Sequence, residues 1–131
     1  MSNKKECTIS WRTFVSCVNK IENRIKTNYS HKKFKVLWGI PRGGLVLAAM
    51  LSHRLNVPLC SKDTIPKIRP LLLVDDIADT GKTLKGVLSL TENNDDIVIA
   101  TIHYHKQSSI IPDIWIKEKK DKWIVYPWET K

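Results

Sequence analysis

The segment Leu71-Leu72-Leu73-Val74-Asp75-Asp76-Ile77-Ala78-Asp79-Thr80-Gly81-Lys82-Thr83 constrains the chain more than any other. Its apolar start has no polar alternation, which suits a central parallel strand covered on both faces. The strand delivers two adjacent carboxylates, a short loop supplies Asp79, and Thr80-Gly81-Lys82-Thr83 leads into a helix expected over 84–90. A helix start presents unpaired N–H groups and a positive dipole end, both favourable to a phosphate. The hydroxyls of Thr80 and Thr83 add donors, and Gly81 permits close approach. Carboxylates at a strand's carboxyl end can grip a diol, or a metal-bound diol, in the crevice where open α/β sheets bind ligands. A diol reader beside a phosphate reader describes a ribose 5-phosphate. The plainer alternative is a strand ending in an acidic helix cap. Gly81-Lys82-Thr83 lacks the earlier glycine of a Walker A sequence, so an ATPase phosphate loop is excluded.

The flanking pattern alternates strands and helices. Trp11, Phe14, Val15, Val18, Ile21 and Ile25 fall on one helical face over 11–26, with Ser10 as N-cap. A buried strand over 34–40 runs into Pro41-Arg42-Gly43-Gly44, followed by an apolar helix over 45–55. Val57-Pro58-Leu59-Cys60 reads as an edge strand because of its proline. Further strands are expected over 97–103 and 114–116, before a charged turn and a closing segment, 122–129. This order predicts an α/β fold with a central, mainly parallel sheet flanked by helices. No repeat or linker divides the chain, so residues 1–131 are expected to form one domain. Trp11, Trp38 and Trp115 are expected in the core.

The 42% hydrophobic content argues against a disordered chain. The longest apolar stretch, 45–51, is too short to span a bilayer, and no signal region follows the N-terminal lysines. The three cysteines, Cys7, Cys17 and Cys60, are scattered and odd in number. That pattern fits reduced thiols in the cytoplasm rather than a disulfide framework or zinc site. A net charge of +9 suits an anionic partner, either a phosphorylated small molecule or nucleic acid, or else a solvated basic surface.

The 72–83 segment closely resembles the phosphoribosyl pyrophosphate (PRPP) motif of type I phosphoribosyltransferases. Gly39-Ile40-Pro41-Arg42-Gly43-Gly44-Leu45-Val46 is similar to the pyrophosphate loop and helix of the bacterial xanthine–guanine branch. Trp123-Ile124-Val125-Tyr126-Pro127-Trp128-Glu129 resembles that branch's C-terminal segment, and Ile9-Ser10-Trp11 its entry into the first helix. The resemblance implies a type I phosphoribosyltransferase fold with a small hood, built from the chain's two ends, over the base site. It implies transfer of ribose 5-phosphate from PRPP to a 6-oxopurine (xanthine, guanine or hypoxanthine), yielding a nucleoside monophosphate and diphosphate. Purine salvage in a cytoplasmic homo-oligomer, dimer or tetramer, is the setting it suggests.

Carried over position by position, the resemblance assigns the ribose hydroxyls to Asp75 and Asp76. Mg²⁺ would be bound through the diphosphate, with the same two carboxylates as further candidate ligands. Asp79 would manage the purine proton and, with Thr80, Gly81, Lys82 and Thr83, line the 5-phosphate loop. Arg42 with the amides of Gly43 and Gly44 would hold the diphosphate. Trp123 would stack on the purine while groups around Ile124 read its edge. A lysine donating to the 6-oxo group is expected at the end of the strand after the motif helix. Lys106 falls one place late for that role unless a bulge shifts it, and His105 stands in the slot.

One stretch departs from the pattern. The 61–70 connection is shorter than the family's mobile loop, which covers PRPP during reaction, and offers Lys62, Lys67 and Arg69 as cations, with Pro66 and Pro70 limiting motion. A second hypothesis is therefore a PRPP- or nucleotide-binding regulatory module with little turnover. A third is a basic nucleic-acid-binding protein, which no recognised motif supports.

Overall fold

The computed structural model describes residues 5–65, 67–91 and 93–129; expectations resting on Pro66 and on residues 1–4 lie outside them. The elements are β1 (Glu6–Thr8), α1 (Trp11–Asn28), β2 (Val36–Gly39), α2 (Leu45–Leu55), β3 (Leu71–Ala78), α3 (Lys82–Leu88), β4 (Ile97–His105), β5 (Ile114–Lys119) and β6 (Trp123–Val125). Strands β2-β3-β4-β5 form a parallel sheet in that order, and β1 pairs with β6, also parallel, in a small second sheet.

Burial of β3 on both faces explains its unbroken apolar run. Leu72 and Val74 pack with Phe14, Val18 and Ile21 of α1 and Leu47 and Leu51 of α2. Leu71 and Leu73 point the other way, toward Leu84 and Val87 of α3 and Ile65 of the 61–70 connection. Strand alternation thus divides the apolar run between two cores.

Ser10 caps α1 through its side chain, which accepts from Thr13 N at 3.1 Å. Helix α2 spans the expected residues and ends on Asn56 in the left-handed region (φ 54°). Residues 57–60 make a single bridge, Leu37 to Leu59, rather than a strand. Helix α3 begins at Lys82 and ends at Leu88, two residues ahead of expectation at each end. Both β4 and β5 run past their expected ends, to His105 and Lys119.

The chain's two ends are tied together by β1 and β6. Ile9 N donates to Val125 O at 2.8 Å and Trp123 N to Lys5 O at 2.9 Å. Beside them Trp128 stacks on Tyr126 (centroids 5.0 Å apart, planes 6° apart) and meets Phe14 edge-on. Trp38 is buried as expected, but Trp11 is 53% exposed, packed by one edge on Phe14 and Trp128. Trp115 is only half-buried, tilted against Tyr104.

Candidate active site

Three adjoining cavities open beyond the carboxyl ends of β2, β3 and β5, and Asp76 lines all of them. The first, about 260 Å³, is bounded by Pro41 and Gly43 on one side and by Asp75, Asp79, Thr80, Gly81 and Thr83 on the other. The second, about 570 Å³, lies between Arg42, Gly43, Trp128 and Glu129. The third, about 230 Å³, is walled by Ile77, Trp123, Ile124 and Tyr126, with Asp79, Lys119 and Glu129 as its charged groups.

The first cavity follows from how the motif folds. Strand β2 ends opposite Val74, so Asp75 and Asp76 project past its last residue. Gly81 then turns the chain at φ 88°, a conformation that a β-carbon resists. A Cβ there would also lie 2.5 Å from the Ser109 hydroxyl. Ser109 N donates to Thr80 O at 2.9 Å, fastening the loop to the segment after β4. Across the cavity Gly43 comes so near that a side chain would strike the Asp76 carboxylate.

Asp75 is 7% exposed and its Oδ1 accepts from Asp76 N at 2.9 Å. Burial first, and the neighbouring Asp76 charge second, push its carboxyl above the usual range. Burial also raises Asp76, with Glu129 adding to the effect. Two carboxylates in this state are short of positive charge and of donors, which fits a diol or a magnesium ion arriving with its own phosphate oxygens. They do not fit a self-contained metal cage: among the described residues no cluster of three or more acid, His or Cys ligands is present.

Asp79 behaves oppositely. Burial raises its carboxyl, but hydrogen bonds from Lys119 Nζ (2.9 Å to Oδ2) and Gln107 Nε2 (3.0 Å to Oδ1) outweigh that and leave it below the usual range. His105 Nδ1 lies 3.3 Å from Asp79 Oδ1 without making a hydrogen bond.

The structure thus brings Asp75, Asp76, Asp79, Thr80, Gly81, Thr83, Arg42, Gly43, Trp123 and Ile124 to one crevice. Other expected residues stand elsewhere. The Gly44 amide donates to Ile40 O at 2.8 Å and is not offered to a ligand. Lys82 N turns back to Thr80 Oγ1, and the residue lines none of the three cavities. Lys106, 80% exposed and 3.7 Å from Glu118, also lies outside them, because β4 continues regularly to His105 with no bulge to turn it inward. Arg69, expected as a cation near the diphosphate, is used by the fold: its guanidinium donates to the carbonyls of Ile65, Ile68, Asn93 and Asp95.

Sequence reading missed Lys119. It sits among alternating charges at 117–122 that look like a solvated turn, but β5 runs through it and pairs it with His105, next to Asp79. Extending the period-two pattern beyond Ile116 would have found it. Also missed was a buried polar chain in which His103 Nδ1 meets the Tyr126 hydroxyl at 2.7 Å, and that hydroxyl donates to Asp76 O at 3.1 Å. The single hydroxyl proton is used on Asp76, so Nδ1 carries the hydrogen in the His103 pair. Burial, then Lys117 and Lys119, lower His103 to about 4, so the ring is neutral at physiological pH.

No protein-family model matches the chain. A xanthine-guanine phosphoribosyltransferase of Desulfotalea psychrophila is 27% identical over 118 residues, covering 75% of this chain and 72% of that protein. A purine phosphoribosyltransferase of Pyrococcus horikoshii superposes with a TM-score of 0.81 at 27% identity, over 97% of this chain and 96% of the other. The xanthine-guanine-hypoxanthine phosphoribosyltransferase of Helicobacter pylori gives a TM-score of 0.78 at 22% identity, over 95% and 93%. Together with the motif crevice beyond β3, these relationships make the chain similar in sequence and fold to purine phosphoribosyltransferases.

Proposed function

We propose that the protein transfers the ribose 5-phosphate of PRPP to a 6-oxopurine, giving the nucleoside monophosphate and diphosphate. The observation that carries this reading is the sharing of Asp76 by three adjoining cavities, whose linings match a sugar phosphate, a diphosphate and a flat heterocycle. The names of the relatives point to the same substrates.

In the proposed reaction Asp75 and Asp76 hold the ribose hydroxyls, and the loop of Thr80, Gly81 and Thr83 holds the 5-phosphate. Arg42 and Gly43 face the diphosphate, and Trp123 supports the base beside Ile124. The bond between C1 of the sugar and the diphosphate oxygen breaks, and a bond from a purine nitrogen to C1 forms. That nitrogen's proton passes to Asp79 or through it to water. Asp79 is ionised at neutral pH and able to accept, although Lys119 and Gln107 hold its oxygens. When bound with PRPP, Mg²⁺ supplies charge neutralisation on the leaving diphosphate. One domain over residues 1–131, a homo-oligomer and a cytoplasmic location complete the reading; no described helix is long and apolar enough to cross a membrane.

A second reading, a PRPP- or nucleotide-binding module without turnover, is favoured by the 61–70 connection. Ile65 is fully buried and Arg69 is held by four carbonyls, so this short segment is anchored where the family reading expects a closing loop. A turnover assay separates the two. Protein, PRPP and Mg²⁺ are mixed with xanthine, guanine, hypoxanthine, adenine or uracil, and nucleotide and diphosphate are followed by chromatography. Product from one or more oxopurines, lost in Asp79→Asn, is the expected result. PRPP binding without product from any base would overturn the transferase reading in favour of the module.

A further inference from the structure

Lys119 is the one cation among the described residues lining the third cavity, where it faces the carboxylates of Asp76, Asp79 and Glu129. Its side chain is 12% exposed, an enclosure that lysine tolerates when it is paired. One N–H reaches Asp79 Oδ2 at 2.9 Å, and the ammonium lies 5.3 Å from the centroid of the Trp123 ring. An ammonium has three hydrogens, so Asp79 anchors it while others remain to be directed into the cavity. Trp123 is 48% exposed and offers its flat surface there. A heterocycle laid on that ring would move the ammonium toward its edge, still tethered to Asp79. Without the ammonium, the lone pairs of an oxo group would meet three carboxylates.

We propose that Lys119 selects the base: anchored on Asp79 beside Trp123, its ammonium donates to an oxo group on the edge of a stacked heterocycle and turns away an amino group at the same position. The assignment rests on the purine transferase reading and adds the group that determines specificity. Donor meeting acceptor is rewarded in a desolvated cleft, whereas donor meeting donor leaves both unpaired. The rivals suggested by sequence lie less well. Lys106 points to solvent beside Glu118, and His105 lines none of the three cavities.

Hypoxanthine and adenine differ chiefly in the oxo or amino group at C6, so they form the matched pair for a test. Steady-state kinetics with PRPP and calorimetric binding of each base would be measured for the wild type, Lys119→Met, Lys119→Arg and Lys106→Gln. Lys119→Met is expected to lower kcat/KM for hypoxanthine by at least about tenfold, narrowing its ratio to adenine, with a smaller change in the KM for PRPP. Lys119→Arg, which keeps a cationic donor, should recover part of the loss. If melting shows that Lys119→Met is unfolded, Lys119→Gln replaces it in the comparison. A wild-type ratio in the folded neutral variant, or loss of the ratio in Lys106→Gln instead, overturns the assignment and leaves the transferase reading intact. A wild-type protein that neither binds nor converts any purine defeats both.

Discussion

Asp75 and Asp79 lie four positions apart and are driven in opposite directions by their surroundings. Burial disfavours the ionised form of Asp75, whereas Lys119 and Gln107 favour that of Asp79. For Asp75 the folded value exceeds the unfolded one, so its ionisation costs stability progressively as pH rises from the ordinary aspartate range, about 4, through the raised value. Asp75→Asn keeps the acceptor for Asp76 N and removes a carboxyl that the fold holds protonated against its ordinary tendency to ionise. It is expected to stabilise the protein by about 1 kcal/mol at neutral pH, with the gain fading toward pH ~4. Thermal melts across pH measure this, and the same variant should bind PRPP more weakly. The Asp79 contribution has the other sign: it is present above the ordinary aspartate value and lost as pH falls through the depressed one. Trp123 offers a separate test, because a half-exposed ring contributes little to the core. Trp123→Ala should weaken purine binding far more than PRPP binding, with melting changed by less than about 0.5 kcal/mol. Equal losses of both ligands would assign the ring a packing role.

At the scale of elements, the small sheet of β1 and β6 does more than close the ends of the chain. Tyr126, just after β6, joins His103 of β4 to the Asp76 carbonyl of β3. The hood that carries Trp123 is thereby latched to the residue shared by all three cavities. Tyr126→Phe removes the hydroxyl and leaves a buried imidazole N–H and a carbonyl without that partner. A loss of about 1–3 kcal/mol is expected in chemical denaturation, together with higher KM values for both substrates. A rise confined to one substrate would show that the latch does not connect the two halves of the site. The 61–70 connection makes a similar point about anchoring. Ile65→Ala should cost about 2–5 kcal/mol, the penalty of a core truncation rather than of a surface-loop change.

For the whole molecule, the net charge of +9 suits a highly phosphorylated substrate. Long-range attraction is screened by salt, so the KM for PRPP should rise between low and physiological ionic strength while that for an uncharged purine stays nearly constant. Parallel behaviour of the two would place the basic residues in solubility alone. The order of elements, the fold class and the motif crevice were legible in the sequence. Each depends on local spacing: an apolar run too continuous for an exposed strand, glycines at the turns, and acids at a strand end. Less legible were β1, three residues long and readable only through its pairing with β6, and the true ends of β4 and β5. Charged residues at 117–119 resemble a turn until a neighbouring strand pairs with them.

By itself the sequence determined which groups gather at the end of β3, because the 71–83 segment carries carboxylates, hydroxyls and the turning glycine within one strand–loop–helix unit. Only the tertiary structure decided which cation stands beside Trp123. Lys106 is nearer to the motif along the chain, yet it points to solvent, while Lys119 is brought to Asp79 by the parallel pairing of β5 with β4. It likewise committed Arg69 to backbone carbonyls and the Gly44 amide to Ile40. The physical reason is the same in each case. Local spacing specifies an element and its faces, but the partner of a side chain is set by strand register and by which buried polar groups remain to be satisfied.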